Sequence, residues 1–355
     1  MKAATLVLAT STGGVGAHVV SLVRGLTADG WRVNVCGPQA TDDLFGFSRA
    51  GAAFTSVSGS ATDPRAVRTV RRVAASSNVL HAHGLRAATV AALTGRHPLV
   101  VTWHNAVLAP PGPRRRLLEL GERLVARSAD ITLCASPDLE DRVRALGGRD
   151  VRPGPVAAPL RDPERFPSEV RASLGVGDAP MLLSVGRLHP QKGYDVLVDA
   201  VARLQKDCPG VRAMIAGDGP QRAELEGRIA ESGAPVELLG RRVDIPDLLR
   251  AADVVVCSSV WEARALSVQE ALLAGRPVVT TRVGGLPELV GDAAVLVPPN
   301  DPAALAEAVE RVLADPAWAA TLAARATEAA RRLPGEHDTV AQVEAVYREL
   351  IGASR

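Results

Sequence analysis

Short apolar runs alternate with amphipathic segments along the first part of the chain. Thr5–Thr10 is a continuous apolar run, and a helical pattern follows it with apolar positions at Val19, Leu22, Val23 and Leu26. Runs of the same character predict strands at Arg32–Cys36, Val79–Gly84, Leu99–Asn105 and Ile131–Ala135. Because strands that alternate with helices form parallel sheets, this part of the chain is predicted to be an α/β domain.

The same alternation starts again further along the chain and predicts a second parallel sheet. Its strands are expected near Met181–Val185, Arg212–Ala216, Val236–Leu239, Asp253–Cys257, Val278–Thr281 and Ala294–Val297. Residues 152–167 lie between the two patterns and contain five prolines without periodicity, which is typical of a linker. We therefore predict domains at 1–165 and 168–335, followed by a helix over 336–355 whose apolar stripe must pack on a neighbour.

Composition narrows the class of protein. A chain of 355 residues suits two domains, and 47% hydrophobic with 23% charged residues is ordinary for a globular protein. The net charge of +2 argues against a dedicated nucleic-acid binder. Residues 1–165 nevertheless hold 21 basic against 13 acidic residues, which suits either an anionic partner or membrane surface, or simply a scatter of solvated arginines.

The helix predicted from Arg114 to Ser128, after the prolines at 110, 111 and 113, is strongly basic. It could lie on an anionic bilayer surface or present an ordinary solvated face. No apolar run approaches 18 residues, and the apolar segment after Lys2 reads better as a first strand than as a signal sequence. Four widely spaced cysteines without metal-binding spacing favour reduced thiols, so we expect a cytoplasmic protein, with peripheral contact at the inner membrane face as an option.

Candidate ligand-binding residues in the first domain follow its strands. The glycine turn that contains Gly13 and Gly14 does not fit a dinucleotide fingerprint, because Val19 stands where the third glycine belongs. Such a turn can admit a phosphate or sugar closely, or be a plain tight turn. Histidines stand at the ends of two predicted strands, where open α/β sheets bind ligands, and we favour His104 over His81 and His83.

In the second domain, Arg187 and Lys192 stand five apart in a loop after the first strand, and two such cations can neutralise a diphosphate. Glu262 and Glu270 follow a later strand and could accept hydrogen bonds from sugar hydroxyls. Ser267 is predicted to cap a helix whose first N–H groups form an anion site. In the alternative, Ser267 and Glu270 form a capping box and Glu270 only reaches back to the Ser267 N–H.

Taken together, these motifs resemble the retaining, GT-B-fold glycosyltransferases of family 4 over nearly the whole chain. The resemblance rests on Gly13-Gly14 with His18, His81-Ala-His83-Gly, Thr102-x-His104, Gly186-Arg187…Lys192-Gly193, Gly217-Asp218-Gly219, Glu262-x7-Glu270 and Gly284-Gly285-x-Pro287-Glu288. It implies two Rossmann-like domains that face each other across a cleft, a nucleotide-diphosphate sugar on the second, and a last helix that returns to the first. The acceptor, on the first domain, is a lipid, a glycan or a small molecule.

The resemblance also implies roles for residues. Arg187 and Lys192 would bind the diphosphate, Glu270 the ribose, and Glu262 with His104 the donor sugar. Gly13 and Gly14 would let the first domain close over the phosphates, and the backbone near Val243 would contact the base. Arg264, Ala265, Leu266 and Ser267 would line the donor site beside the helix start. No cofactor or metal is expected, and the sequence has no Asp-x-Asp. Catalysis would follow front-face attack, with the leaving diphosphate accepting the acceptor's proton.

One loop departs from the family pattern. Ala263-Arg264-Ala265 stands where Gly-Phe-Gly is common, so a positive charge enters the donor pocket. An unusual or acidic sugar, or another phosphate contact, would explain it. Two further functions stay open: a nucleotide-sugar-binding protein without transfer activity, acting as a partner or regulator, and a nucleotide-sugar epimerase.

Overall fold

The computed structural model describes residues 2–57, 63–95, 97–109, 111–159 and 161–353. The chain forms two units, one of Met1–Ala157 with Pro334–Arg355 and one of Ala158–Leu333. The boundary between them falls inside the predicted linker at 152–167, of which Leu160 lies outside the described residues, as does Pro110 ahead of the basic helix. Across the described ranges, no helix combines the length and apolarity needed to cross a bilayer.

The first unit is built on a parallel seven-stranded sheet of order β3-β2-β1-β4-β5-β6-β7. Its strands are β1 Ala3–Leu8, β2 Arg32–Gly37, β3 Ala53–Ser56, β4 Val79–His83, β5 Leu99–Trp103, β6 Ile131–Cys134 and β7 Val151–Pro153. The helices between them are α1 Gly14–Ala28, α2 Gln39–Phe45, α3 Pro64–Ala74, α4 Leu85–Ala92, α5 Pro113–Ser128 and α6 Pro137–Ala145.

The second unit has a parallel six-stranded sheet of order β10-β9-β8-β11-β12-β13. Its strands are β8 Met181–Val185, β9 Arg212–Ala216, β10 Val236–Gly240, β11 Val254–Cys257, β12 Val278–Thr281 and β13 Val295–Val297, so all six predicted strands are confirmed to within one residue. Its helices are α7 Pro167–Ser173, α8 Tyr194–Leu204, α9 Arg222–Ser232, α10 Ile245–Ala251, α11 Leu266–Leu273, α12 Leu286–Val290, α13 Pro302–Ala314 and α14 Pro316–Ala330.

The two outer strands of the first sheet, β3 and β7, are not apparent from the sequence. β7 ends at Pro153, a residue predicted to belong to the linker, and Pro167 at the other end of that segment begins α7. Edge strands are short and half solvated, so they lack the continuous apolar run of a central strand. Proline is tolerated in β7 because an edge strand has neighbours on one side only, so the missing N–H need not break a ladder.

The last helix, α15 Glu336–Ala353, belongs to the first unit. Its apolar stripe joins the core formed by α1 and β1, and Tyr347 is fully buried there. The Tyr347 hydroxyl lies 2.7 Å from His81 Nδ1, and Glu344 accepts a 2.8 Å hydrogen bond from the Trp31 indole. The final residues of the chain therefore complete the core of the unit that contains the first ones.

Each sheet reverses its strand order once, between β1 and β4 in the first unit and between β8 and β11 in the second. Loops that leave the carboxyl ends of such strands diverge to opposite faces of the sheet and leave a crevice, which is where open α/β sheets bind ligands. The candidate residues of each unit are therefore best described around its reversal point.

Candidate functional site

In the second unit, the loops that follow β8 and β11 are bonded to each other. The Val260 N–H donates to the Gln191 carbonyl at 2.9 Å, and Gln191 Nε2 donates to the Trp261 carbonyl at 2.9 Å. The Ser258 hydroxyl donates to the Lys192 carbonyl at 3.0 Å. These bonds fix the lysine loop beside the glutamate loop at the point where the strand order reverses.

Two glycines allow this close approach. Gly193 has a φ of 60°, and a Cβ there would lie 2.3 Å from the Ser258 carbonyl oxygen. Gly284, which follows β12, has a φ of 49°, and its Cβ would lie 2.0 Å from the Glu262 carbonyl oxygen. Any side chain at either position would push the loops apart, so the loops after β8, β11 and β12 depend on glycine to form one compact surface.

Lys192 and Glu262 form an ion pair at the centre of this surface. Lys192 Nζ lies 2.6 Å from Glu262 Oε1, which also accepts a 2.8 Å hydrogen bond from the Ser259 hydroxyl. Burial disfavours the charged lysine, but the attraction of Glu262 outweighs it and raises the pKa of Lys192. The ammonium is therefore charged and held in place, and the exposed side chain of Arg187 stands on the same loop.

The helix α11 begins differently from the sequence prediction. Its N-cap is Ala265 and no side chain caps it, so Ser267 lies inside the first turn and the predicted Ser267 cap is wrong. The Ala265 carbonyl accepts from Val268 and Gln269, which leaves the amides of Leu266 and Ser267 ahead of the first intrahelical bonds. Amides in this position suit an anion without any help from the serine hydroxyl.

Glu270 lies on the same helix and is partly buried. Burial raises the pKa of its carboxyl to about 7, against the opposing attraction of Arg161. Within the described residues it makes no hydrogen bond to the Ser267 N–H, so the capping-box alternative is also wrong. The carboxylate is thus free to accept hydrogen bonds from a ligand, in its ionised form.

Arg264 and Val243 lie in different surroundings. Arg264 is half-buried between Glu262 and α11, and its Nε is buried without a hydrogen-bond partner in the described part of the chain. Val243 follows β10 at the outer edge of the sheet and is 82% exposed, so the structure does not bring it to the reversal point with the others.

At the reversal point of the first unit, Gly13 and Gly14 form the exposed start of α1. The Gly16 N–H is bonded to the Gly13 carbonyl and to the Ser11 hydroxyl, both at 3.0 Å. A Cβ at Gly13 would meet no atom within 4 Å, so nothing in this unit requires a glycine there for space.

Three buried histidines meet next to this turn. His83 Nδ1 lies 3.2 Å from His104 Nε2, and the ring of His18 lies 5.4 Å from both other rings. One nitrogen of each ring lies within 4.8 Å of the others, an arrangement that could hold a transition-metal ion. Burial lowers the pKa of all three, that of His18 to about 4, so they are neutral and offer lone pairs.

His81 differs from these three. Both its ring nitrogens are satisfied, one by Tyr347 and the other by Thr102 at 2.7 Å, which makes it a structural link between β4, β5 and α15. His83 Nε2, in contrast, is buried and unpaired among the described residues. The preference for His104 over His81 therefore has a structural reason, while His83 shares the environment of His104.

Some residues of these sites escape motif analysis. Gln191 and Ser259 are ordinary loop residues in the sequence, and only the bonds between loops show that they orient Lys192 and Glu262. The sequence does point to His18, because it lies within the second turn of the helix after the glycine turn. Its place beside His83 and His104, however, depends on the order of strands in the sheet.

Comparison with known families identifies the chain. The model of the glycosyl transferase 4-like domain matches residues 13–159, and the model of the glycosyl transferases group 1 matches residues 179–315. The chain belongs to the group 1 glycosyltransferases. The family assignment made from the sequence motifs is thus confirmed, and the two matched regions correspond to the two parallel sheets.

Curated relatives of this glycosyltransferase have related names. A D-inositol 3-phosphate glycosyltransferase of Saccharomonospora viridis is 37% identical over 291 residues, covering 73% of this chain and 66% of the relative. A 2-deoxystreptamine glucosyltransferase of Streptomyces kanamyceticus is 34% identical over 259 residues, covering 66% of each. The alignments thus span just under two thirds of the length of these relatives.

Solved structures establish the fold of the glycosyltransferase. The crystal structure of HepE from Anabaena, in complex with UDP and glucose, superposes with a TM-score of 0.83 at 23% identity over 97% of this chain and 99% of that chain. The predicted fold class, GT-B with two Rossmann-like parallel-sheet domains, is confirmed.

Proposed function

We propose that this protein transfers a sugar from a nucleoside diphosphate sugar to an acceptor hydroxyl, with retention of configuration and without a metal ion. The observation that carries the proposal is the Lys192–Glu262 pair, with Arg187 on the lysine loop and the first amides of α11 following the glutamate loop. Cations and amides together suit a diphosphate, and the neighbouring carboxylates suit sugar hydroxyls.

In this proposal the diphosphate is the leaving group. The bond between the sugar's anomeric carbon and the diphosphate oxygen breaks as the acceptor oxygen bonds to that carbon from the same face. The acceptor's proton passes to the departing diphosphate. Fixed positive groups lower the barrier because they are already oriented towards the charge that develops. Arg187, Lys192 and the amides of Leu266 and Ser267 would supply them, in place of a divalent ion.

The two glutamates would position the donor. Glu262 would accept hydrogen bonds from the sugar once the diphosphate competes for Lys192, and ionised Glu270 would accept from the ribose. The roles of His104, Gly13 and Gly14 in the first unit, and of the backbone near Val243, stay predictions. The neutral state of His104 suits a hydrogen bond with a hydroxyl.

The printed names of the relatives give a first choice of substrates. HepE was crystallised with UDP and glucose, and two relatives are named for cyclic alcohols or aminocyclitols as acceptors. Uridine nucleotides and polyhydroxylated small molecules are therefore the first to test, ahead of guanosine nucleotides, glycans and lipids.

Titration calorimetry with UDP and GDP, followed by assays of diphosphate release from their sugars, tests the proposal. Binding with acceptor-dependent release supports it, and the anomeric proton coupling of the product reports retention. Unchanged turnover after treatment with EDTA supports independence from metal. Binding without turnover would favour a nucleotide-sugar-binding regulator, and donor consumption without acceptor would favour an epimerase.

Substitution of Lys192 is the most direct single-residue test of the proposed reaction. Lys192→Ala should lower kcat/KM by roughly a hundredfold, about 2.7 kcal/mol of transition-state stabilisation, because the leaving diphosphate loses a charge-assisted contact. Lys206→Ala removes an exposed lysine of the same unit and should leave kcat/KM unchanged. Near-normal turnover of folded Lys192→Ala would remove the lysine from the leaving-group role.

We further propose peripheral contact with the cytoplasmic face of an anionic membrane through α5. Its solvent-facing side carries a leucine stripe, Leu117, Leu120 and Leu124, which are 70%, 60% and 42% exposed. Its inward side holds buried Glu122, bonded to Arg142 at 2.9 Å. An apolar stripe flanked by exposed arginines suits the interface of a bilayer with negative lipids better than open water.

A further inference from the structure

Arg264 is a cation without a counter-ion in the described part of the chain. No carboxylate lies within 4.0 Å of it there, whereas Lys192 on the neighbouring loop after β8 is paired at 2.6 Å. Its Nε is buried and unpaired, and burial lowers the pKa of the guanidinium. A half-buried guanidinium without a counter-ion costs desolvation free energy. An anionic group on a ligand would therefore form an ion pair with a side chain that is already desolvated.

The position of Arg264 separates it from the proposed diphosphate contacts. Arg187 and Lys192 follow β8, on one side of Glu262 in the sheet order. Glu288, on the helix that follows β12 on the other side of β11, attracts Arg264 and partly offsets the lowering of its pKa by burial. The Glu262 carboxylate is bonded to Lys192 from the β8 side and to the Ser259 hydroxyl of its own loop, and it makes no ion pair with Arg264 among the described residues.

We propose that Arg264 binds a carboxylate on the donor sugar, so that the donor is a nucleoside diphosphate uronic acid. This inference rests on the proposed function, in which Glu262 contacts the sugar and the β8 side contacts the diphosphate. A group beyond Glu262 then meets the sugar and not the phosphates. The planar fork of a guanidinium matches a carboxylate with two parallel hydrogen bonds, one of which would use the unpaired Nε.

The sequence of the loop agrees with this assignment. Ala263 and Ala265 on either side of Arg264 are buried, so the backbone here is packed and the arginine side chain is the variable element of the loop. Glu288 is close enough to attract the guanidinium but does not pair with it in the described structure. An incoming carboxylate would therefore compete with Glu288 for the same cation.

Titration calorimetry with UDP, UDP-glucose and UDP-glucuronate tests the inference on the full chain, with GDP, GDP-mannose and GDP-mannuronate if the site prefers guanosine. Wild-type protein should bind the glucuronate at least tenfold more tightly than the glucose donor. Arg264→Gln should weaken glucuronate binding roughly 10- to 100-fold, the range of charge-assisted hydrogen bonds, and leave UDP binding within about twofold. Arg331→Gln, an exposed arginine of the same unit, should change neither affinity.

Two further variants guard against a folding artefact. Arg264→Lys keeps the charge without the fork and should retain part of the preference. Glu288→Gln removes the competing carboxylate and should strengthen glucuronate binding about threefold, an effect opposite in sign to Arg264→Gln.

The outcomes separate the two proposals. Equal affinity for glucose and glucuronate donors, with UDP bound normally, overturns the role of Arg264 alone. Equal weakening of UDP and both donors by Arg264→Gln makes the arginine a phosphate ligand and overturns the carboxylate assignment. Failure of every uridine and guanosine diphosphate to bind overturns the proposed function and this inference with it.

Discussion

Glu270 is the residue whose ionisation should be visible in the stability of the second unit. Its folded pKa of about 7 lies above the ordinary value of 4.5 for a glutamate, so the folded state holds more protons than the unfolded state between these values. The contribution of this carboxyl group to the free energy of unfolding is therefore greatest below about pH 4.5. That contribution is lost as the pH rises through 7. Glu270→Gln should flatten the decline in melting temperature between pH 5.5 and 8.

The same ionisation should govern donor binding. If the carboxylate accepts hydrogen bonds from ribose, affinity for UDP-glucose rises as the pH passes through 7, and Glu270→Gln binds weakly at every pH. Calorimetric titrations from pH 5.5 to 8.5 measure this, and UDP-glucose has no phosphate that titrates in the range. A pH-independent affinity in the wild-type protein would contradict the role of Glu270.

At the scale of residues, the sequence predicts which side chains could bind a ligand better than it predicts which side chains contact one another. Lys192 and Glu262 stand out as a cation and an acid after strands, but their 2.6 Å pair depends on bonds from Gln191 and Ser258 that no motif announces. Ser267 shows the opposite error. It is a good capping residue in a suitable place, yet the N-cap is Ala265, two residues earlier, so Ser267 lies in the first turn.

At the scale of elements, two glycines in helices make a matched pair. A Cβ on Gly25 in α1 would lie 2.5 Å from Val340 Cγ2 in α15, whereas a Cβ on Gly227 in α9 would meet nothing within 4 Å. Gly25→Ala should destabilise the protein by about 1–3 kcal/mol through overpacking. Gly227→Ala should stabilise it by roughly 0.5–1 kcal/mol through helix propensity.

Calorimetric unfolding of the two variants measures the difference. Since alanine is favoured over glycine in an exposed helix, only the contact with Val340 can reverse the sign at Gly25. Stabilisation by both substitutions would show that α15 does not pack against α1 as the structure has it.

The leucine stripe of α5 makes a prediction about a surface. Replacing Leu117, Leu120 and Leu124 by serine should lower co-sedimentation with vesicles of anionic phospholipid more than tenfold, because three apolar side chains no longer enter the bilayer. Unfolding free energy should change little, since the three side chains already face water. Leu273→Ser, at a partly exposed leucine of the second unit, is the control.

Sedimentation with vesicles of neutral lipid at high salt shows how much of the membrane binding depends on charge. If the arginines beside the stripe contribute, wild-type binding falls as salt rises or as negative lipid is removed. Wild-type protein that fails to sediment with anionic vesicles at low salt would end the membrane proposal without touching the proposed transfer reaction.

Elements differ in how readily the sequence reveals them. β8, β9 and β12 are predicted without error because buried parallel strands are continuous apolar runs between polar turns. β3 and β7 are missed because an edge strand needs no such run. The predicted strand at the start of the chain extends to Thr10, whereas β1 ends at Leu8, since its last residues already belong to the ligand-side loop.

At the scale of the whole molecule, two parallel sheets follow from the alternation of apolar runs alone. The alternation of apolar runs does not predict where α15 packs. Its stripe of Val340, Val343, Val346 and Tyr347 shows that it is buried, but amphipathic spacing does not name the surface it covers. Only the packing against α1 and β4, with the Tyr347–His81 bond, assigns the helix to the first unit.

This assignment has a consequence for biosynthesis. The ribosome makes residues 1–157 first, yet the hydrophobic groove of that unit stays uncovered until α15 emerges some 180 residues later. By then the second unit has been translated in full and can fold on its own contacts. The core of this unit is therefore completed only after residues 158–333 have been made.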